Sequence, residues 1–312
     1  MDMSGDRFEV TELSTVNDPP DSRLDAFNQH RNLLFSIAYR MLGSASDAED
    51  MVQETYLRWQ KISDQEIRSP RAMLVTIVSR LCINHLQLAR VQREEYFGQW
   101  LPEPLLTATA ADPTLHEINE SLSMAFLVLL ERLNPIERAT LLLRDVFDYD
   151  YSEIASILGR NEAACRQILH RARQNVTQDR PRFSASAEEG ERLMRQFIDA
   201  STHGDMDGLL ALLSSDVVFY SDGGGKAAAV PNIIHGSRRV VALLLGATKK
   251  FVPKDQVVHV AQINGQPGFI SYVNGRARAV VTVDVDGGLI ARLYIVTNPE
   301  KLRGIPDLHT VN

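Results

Sequence analysis

The chain has 312 residues and a formal net charge of −7, with 44% hydrophobic and 23% charged residues. This length favours two or three domains, and the composition is typical of globular proteins and excludes a disordered chain. No apolar run approaches the ~18 residues of a membrane span, and the acidic N-terminus is unlike a signal peptide, so we expect a cytoplasmic protein with no membrane partner. Cys82 and Cys165 stand at apolar helix positions and do not have the spacing of metal ligands. We therefore expect no metal site and no cofactor.

The first clear helical pattern lies over residues 46–60, after a stretch, 1–22, whose composition predicts a mobile tail. Ser46 and Glu49 have the spacing of a capping box, and acidic residues crowd the first turn, where the helix dipole favours negative charge. The packed side of the helix is marked by Met51, Val52, Thr55 and Trp59. The opposite side carries Asp50, Gln53, Glu54 and Leu57, a composition that by itself is typical of a solvated helix.

A second helix is predicted from Ser69-Pro70 onward, because proline is favoured in the first turn. Apolar residues recur along it, and between them stand the polar and basic residues Arg71, Arg80, Asn84, His85, Arg90 and Arg93. A buried helix with charged flanks and a nucleic-acid surface are both compatible with this pattern.

Residues 97–116 contain three prolines and no sustained helical stripe, which predicts a domain boundary. The segment Trp100-Leu101-Pro102-Glu103-Pro104 is apolar enough to dock on another surface, or it packs on its own domain. Helical periodicity resumes at Ile118 and continues to Leu133, and Asn134-Pro135 begins another helix.

Residues 150–174 predict two short helices joined at Gly159. Asp150 and Glu153 form a capping box for the first, and Asn161 can cap the second. Cys165, Leu169 and Ala172 face inward in the second helix, and from 160 to 182 six arginines stand against two acids. A helix-turn-helix with a basic second helix suits a DNA major groove, whereas the alternative is a helical hairpin with a solvated arginine face.

The order of these segments resembles regions 2 and 4 of the extracytoplasmic-function (ECF) sigma factors of bacterial RNA polymerase, over about residues 23–180. The resemblance implies two all-α sigma domains: region 2 at 23–96 and region 4 at 118–182, with a linker at 97–117. It also implies two partners, the core RNA polymerase (β and β′ subunits) and promoter DNA.

The resemblance further assigns roles to three sets of residues. The helix that docks on the β′ clamp would present Asp47, Asp50, Gln53, Glu54, Leu57 and Arg58. The −10 element would be melted by the stretch from Ile62 to Arg93, since a base must leave the stack and be held; its candidate DNA contacts are Arg71, Arg80, Asn84, His85, Arg90 and Arg93. The −35 element would be contacted by Arg160, Arg166, Gln167, His170, Arg171 and Arg173.

After residue 185 the pattern changes to two amphipathic helices over Glu188 to Leu213 and then short strands separated by Asn-Gly and Gly-Gly turns. This order resembles the α+β cone of the SnoaL-like, NTF2-like superfamily and predicts a domain at 186–312 with an antiparallel sheet. The strands are predicted at Val217–Tyr220, Val257–Ile263, Phe269–Val273, Arg278–Val285 and Leu289–Thr297.

Two short motifs, together with the Trp-Leu-Pro-Glu-Pro segment, narrow the resemblance to ECF sigma factors with an appended SnoaL-like domain. Their residues, for which a role in regulating the sigma regions in cis is implied, are Asp222, Gly223, Gly224, Gly225 and Lys226, followed by Asn298, Pro299, Lys301 and Leu302. Because the charged members stand on glycine-rich or terminal segments, we expect them to be mobile contact groups and not parts of a core.

An enzyme is the alternative: a SnoaL-like isomerase or hydrolase fused to a DNA-binding helix-turn-helix. Asp222, His235, His259 and Tyr272 are the polar residues available as acid and base, and a cone of this class can enclose a small-molecule ligand. The glycine loop could also hold an anion, although it lacks the Lys-Ser/Thr ending of a phosphate-binding loop. Since fold does not imply function, we expect a sigma factor and not an enzyme.

Overall fold

The N-terminal unit is a bundle of three helices. A computed structural model of the chain describes residues 22–63, 65, 67–94, 96–107, 122–177, 187–253 and 255–310; the side chains of 89–94 are not described. Helix α1 spans Ser22–Leu42, α2 spans Ala45–Trp59 and α3 spans Pro70–Glu94. Their apolar faces bury Leu34, Val52, Trp59, Leu74 and Val78, as the helical spacing predicts. The predicted tail at 1–22 lies outside the described residues, apart from Ser22.

The start of α2 differs from the prediction. The capping box of Ser46 and Glu49 is wrong, because Ser44 is the N-cap and its hydroxyl accepts a hydrogen bond from the Asp47 amide at 3.2 Å. Ser44 has the extended backbone that an N-cap requires, whereas Ser46 lies inside the first turn. The acidic first turn is therefore preserved, but the helix begins earlier.

In residues 122–177, the described part of the helix-turn-helix unit, there are four helices. Helix α4 spans Met124–Leu130, α5 spans Pro135–Leu141 and is followed by a π-helical turn over Leu142–Val146, α6 spans Tyr151–Leu158, and α7 spans Glu162–Thr177. The helix predicted to continue through residues 122 and 123 begins only at Met124, because the Ser123 hydroxyl caps it by accepting from the Phe126 amide at 3.2 Å. Residues 118–121 lie outside the described part of the chain.

The predicted turn between α6 and α7 is confirmed in detail. Glu153 accepts from the Asp150 amide at 2.8 Å, and Gly159 ends α6 with a left-handed backbone (φ 63°). The Asn161 side chain accepts from the Ala164 amide at 2.8 Å and so caps α7. Cys165, Leu169 and Ala172 are buried. These local signals fix the geometry of the two helices.

The C-terminal domain combines three helices with one six-stranded sheet. Helices α8 and α9 span Ala187–His203 and Met206–Leu212, close to the prediction, whereas α10, Ser237–Phe251, was not predicted. The strands are β1 Leu213–Asp222, β2 Ile234–His235, β3 Val257–Ile263, β4 Gln266–Val273, β5 Arg276–Asp286 and β6 Leu289–Val296, in the order β2-β1-β6-β5-β4-β3. The sheet is mixed, because β1 pairs with β6 in parallel; the prediction of an antiparallel sheet is wrong for this pair.

The two faces of the sheet pack against different parts of the chain. On one face, β-strand residues such as Val283 and Leu293 pack with Phe197 of α8 and Val240 of α10. On the other, here called the outer face, Tyr294 and neighbouring apolar residues form a second core that includes Leu101 of the linker and Met124 of α4. Side chains alternate along each strand, so one strand can supply both cores. The outer face therefore joins the C-terminal domain to the helical units.

The N-terminal and helix-turn-helix units are also joined, and their buried residues form one continuous core. Arg138 of α5 donates to the Met41 carbonyl at 2.6 Å and to Glu131 at 2.8 Å, and only 3% of its side chain is exposed. Arg40 of α1 lies over the Phe147 ring at 5.6 Å, and burial lowers its pKa to about 10, so it remains charged at neutral pH. The three units thus form one closed arrangement.

Candidate functional site

Five of the six residues predicted for the −35 element lie on α7, and Arg160 lies in the turn before it. All six are exposed: Arg160, Arg166, Gln167, His170, Arg171 and Arg173. They are not equally free to move. Arg173 makes a two-point ion pair with Asp145 at 2.6 and 3.1 Å, and Arg166 pairs with Glu162 at 3.1 Å and lies 5.0 Å from the Tyr151 ring. Arg171 lines an open cleft beside Asn134. The face is basic and accessible, as contact with phosphates requires.

The residues predicted for the −10 element are in a different situation. Arg71 and Asn84 are exposed, and His85 is half-buried with its Nε2 3.8 Å from Asp47. Arg80 reaches across to α6, where its guanidinium donates to the Ile157 carbonyl at 2.8 Å and to the Ser156 carbonyl at 3.2 Å. Arg90 and Arg93 belong to α3, but their side chains are not among those that the structure describes. In this arrangement Arg80, which is predicted to contact the promoter, is hydrogen-bonded to α6, the first helix of the helix-turn-helix.

The acidic face of α2 is open. Asp50 and Gln53 are exposed, and Leu57 has 51% of its surface accessible although it is apolar. Asp47 and Glu54 are half-exposed, and Glu54 accepts from Arg58 at 2.7 Å. An exposed leucine framed by acidic groups, with Val52 and Trp59 buried behind it, is suited to a protein partner with a basic, partly apolar surface.

The two motifs predicted to be regulatory meet around Asp222, which is fully buried at the end of β1. Its carboxylate accepts from the Tyr96 hydroxyl at 2.6 Å, from the Leu101 and Gly224 amides at 2.9 Å, and from Lys301 Nζ at 2.7 Å. We call these groups, with Trp100 and Asn298, the Asp222 cluster. Leu101 belongs to the linker and Tyr96 directly precedes it, so the cluster joins the C-terminal domain to the chain between the two helical units.

Lys301 holds the linker by a second set of contacts. Its ammonium donates to the Leu101 carbonyl and lies 4.1 Å from the centroid of the Trp100 ring and 5.2 Å from that of Tyr96. Asn298 donates to the Tyr96 hydroxyl at 2.9 Å. Burial raises the pKa of Tyr96, and the hydrogen bond to Asp222 raises it further, so the phenol keeps the proton that it donates. A cation between an aromatic ring and a buried carboxylate is held firmly.

The expectation that these charged residues are mobile contact groups is wrong for Asp222 and Lys301, whose side chains are 0% and 12% exposed. The loop glycines serve close packing: Gly224 has a left-handed backbone (φ 58°), and a side chain there would overlap Asn298. Of the three charged residues Asp222, Lys226 and Lys301, Lys226 alone stays at the surface, where it pairs with Glu300 at 2.6 Å. Gly223 packs against the Ala227 carbonyl, Gly225 faces Phe97, Pro299 is exposed, and Leu302 is buried in the outer-face core.

A second junction, centred on Asn264, was not predicted. Asn264 and Gly265 form a β-turn between β3 and β4, as expected, but Asn264 is fully buried. Its amide group donates to the Tyr39 hydroxyl at 2.8 Å and to the Leu122 carbonyl at 3.2 Å, and its carbonyl accepts from the Leu105 amide at 3.0 Å. The turn therefore contacts α1, the linker and the segment that precedes α4. The linker segment predicted to dock, Trp100 to Pro104, precedes this contact, and its Trp100 and Leu101 dock at the Asp222 cluster instead.

The four residues considered for catalysis are not brought together. Asp222 is enclosed by the linker, and Tyr272 is buried with its hydroxyl donating to the Pro306 carbonyl at 3.2 Å. His235 lies on β2 and His259 on β3, which are the two opposite edges of the sheet. In the part of the chain that the structure describes, no group of three or more His, Cys, Asp or Glu residues could hold a metal, and no helix there could cross a bilayer.

Comparison with known proteins gives two family matches and several relatives. The family model Sigma-70 region 2 matches residues 26–91, and Sigma-70, region 4 matches residues 123–176. The chain is 37% identical to the ECF RNA polymerase sigma factor SigJ of Mycobacterium tuberculosis, over 91% of this chain and 94% of that protein. It is 30% identical to the probable ECF sigma factor SigI of the same species, over 89% and 93%. The crystal structure of SigJ covers 91% of this chain and 98% of its own, with a TM-score of 0.72 and 35% identity.

Proposed function

Because this chain belongs to the ECF RNA polymerase sigma factors, we propose that its C-terminal domain regulates promoter-directed transcription initiation in cis, by holding regions 2 and 4 together through the linker. Region 2 corresponds to the N-terminal unit and region 4 to the helix-turn-helix unit. Sigma factors bind core polymerase and promoter DNA. Within this proposal, the polymerase binds the acidic face of α2, the −10 element binds α3 and the −35 element binds α7. The protein would act in the cytoplasm, where polymerase and DNA are found.

The observation that carries the proposal is the burial of linker residues between the Asp222 cluster and region 2. Residues 101–104 are buried, although the linker joins two domains that bind separate DNA elements. The −10 and −35 elements are separate segments of the promoter, and each base pair between them adds about 3.4 Å. Arg80 of α3 contacts the carbonyls of α6 directly, so in this arrangement the two DNA-binding helices cannot reach both elements.

Regions 2 and 4 can move apart only if the chain between them can extend, and residues 96–107 cannot extend while they are bound to the C-terminal domain. If residues 96–107 were released and fully extended, they would span at most about 40 Å, which would let regions 2 and 4 move apart. While Leu101 and Leu105 are hydrogen-bonded to Asp222 and Asn264, this length is unavailable. Release of the linker from the C-terminal domain therefore accompanies simultaneous contact with both elements, and the closed arrangement is inhibitory.

Point variants test this better than deletion. Removing residues 186–312 would expose Leu101 and Met124, which are buried against the outer face, so the truncated protein would acquire a new apolar surface. Asp222→Asn and Lys301→Met each remove one charge from a buried pair, and breaking such a pair costs about 3–5 kcal/mol. Lys226→Met is the matched control, since that lysine belongs to the same motif but is 51% exposed.

The measurement is run-off transcription at limiting sigma factor with purified core polymerase in saturating excess, so that a change in affinity for core polymerase does not alter output. Asp222→Asn and Lys301→Met should raise output about tenfold, the effect of a 1.4 kcal/mol gain in the competent population, while Lys226→Met leaves it unchanged. Output equal to that of the wild type in both buried-charge variants would contradict regulation through the cluster. A lower output would contradict the inhibitory sign and indicate that the cluster holds a competent arrangement.

We propose no enzymatic role and no ligand for the C-terminal domain. The outer face of the sheet is covered by the chain's own linker and α4, and the opposite face is packed with apolar residues of α8 and α10. The polar candidates Asp222 and Tyr272 each have a structural partner. This favours a domain whose binding surface is used for regions 2 and 4.

A further inference from the structure

We propose that Glu103 of the linker is a positioning residue for α2, through which the C-terminal domain controls affinity for core polymerase. The inference rests on the proposed function and names one route by which regulation reaches the polymerase-binding surface. It starts from a contact between two segments that are far apart in sequence.

The Glu103 carboxylate completes the N-terminal cap of α2. Its Oε2 accepts from the Ala45 amide at 2.8 Å, from the Ser46 amide at 3.4 Å and from the Ser44 hydroxyl at 3.2 Å. The first amides of a helix lack partners within the helix, and its N-terminus carries partial positive charge, so a carboxylate there is stabilising. Glu103 is 5% exposed, and water therefore does not replace it readily.

The backbone of Glu103 is fixed to the same place. Its amide donates to the Gly43 carbonyl at 2.8 Å, and its carbonyl accepts from the Tyr39 hydroxyl at 2.6 Å. The Trp100 ring packs so closely on Gly43 that a side chain there would overlap it. Glu103 is thus held against the end of α1 and the start of α2, and it cannot shift without disturbing that corner.

The C-terminal domain holds the linker on both sides of Glu103. Leu101 is bound by Asp222 and Lys301, and Leu105 makes hydrogen bonds in both directions with Asn264. Each anchor is two residues from Glu103, a reach of about 7 Å, so displacement of either anchor displaces the cap. The capped turn carries Asp47, and Asp50 and Glu54 follow on the same helix. The linker thus connects the buried cluster to the acidic face.

Variants of Glu103 test whether its carboxylate supports core binding by capping α2. Glu103→Ala removes the acceptor and should weaken affinity for core polymerase about fivefold, since loss of a helix cap is worth a factor of this order. Glu103→Gln keeps an oxygen acceptor and should restore most of that affinity. Glu188→Ala, which removes an exposed glutamate of α8, is the matched control and should leave affinity unchanged.

Coupling is tested by a double-mutant cycle, with core affinity measured by titration of the full chain. Asp222→Asn should weaken core affinity by up to about fivefold in the wild type, but much less in the Glu103→Ala background, because the cap is already absent there. Failure of Glu103→Gln to restore affinity, or an equal effect of Asp222→Asn in both backgrounds, overturns the inference. If Asp222→Asn alters transcription but acts equally in both backgrounds, the proposed function stands and this route is wrong. If it alters neither transcription nor affinity, both fail.

Discussion

The exposed surface of α7 and the Asp222 cluster are both rich in charged residues. The charges of α7 face solvent, whereas those of the cluster are buried inside the protein. On α7 the arginines are exposed and several are held only by other surface groups, such as Glu162 at 3.1 Å from Arg166. In the cluster, a fully buried carboxylate and a nearly buried ammonium hold the linker between them. Exposed charges are available to an outside partner, whereas buried and paired charges hold the chain to itself.

On our proposal, charged residues have two functions in this protein. The exposed charges would determine what the sigma regions bind, and the buried pair would determine when the regions can separate. Arg80 combines both properties, because it is predicted to contact the −10 element but donates to the carbonyls of α6 in the closed arrangement. Separating the regions would release it for DNA.

Reversing the exposed charges on α2 should have the largest effect on binding. Asp50→Arg combined with Glu54→Arg should abolish detectable binding to core polymerase, because the acidic face would then repel a basic partner. The fold should remain intact, since exposed charges on a helix contribute only ~0–1 kcal/mol to stability. Binding is measured by pull-down or titration, and thermal unfolding serves as the control. Unchanged affinity would place the polymerase contact elsewhere.

A smaller effect is expected on α7. Arg166→Ala and Arg171→Ala should each cost ~1–3 kcal/mol of promoter affinity if the side chain makes a bidentate base contact. A phosphate contact would instead weaken all sequences evenly and reduce the salt slope by about one. Titration of holoenzyme with promoter and scrambled DNA at several salt concentrations separates the two. If the double variant bound promoter like the wild type, the recognition helix would have been misassigned.

Much of the fold follows from local signals in the sequence, and some of the exceptions involve distant partners. The caps at Asp150 and Asn161 and the turn at Gly159 were predictable because acceptor and donor lie within one helical turn. The start of α2 was mispredicted although its cap, Ser44, is local, and Glu103, distant in sequence, completes that cap. Helix α10 was missed despite a local signal, the apolar residues Val240, Val241 and Leu244 on one side. The parallel β1–β6 pair was missed because it depends on how the domain closes.

The same limit applies to the site. The acidic and arginine faces could be located from spacing, and the two C-terminal motifs from their residues. Burial of Asp222 could not, because its partners come from two segments far from it in the sequence, one with Tyr96 and Leu101 and one with Lys301. Asn264 shows the same property: a residue with ordinary turn chemistry becomes a buried junction only when α1 and the linker fold onto it.

The central claim, that the C-terminal domain keeps regions 2 and 4 closed, is tested most directly by the distance between α3 and α7 in solution. Spin labels or fluorophores at Gln87→Cys and Asn175→Cys would report it, because both positions are exposed and the native Cys82 and Cys165 are buried. We predict one short distance in the free protein, an added longer population in Asp222→Asn, and a distance tens of ångströms longer in holoenzyme bound to promoter DNA. An unchanged short distance in all three samples would contradict the claim.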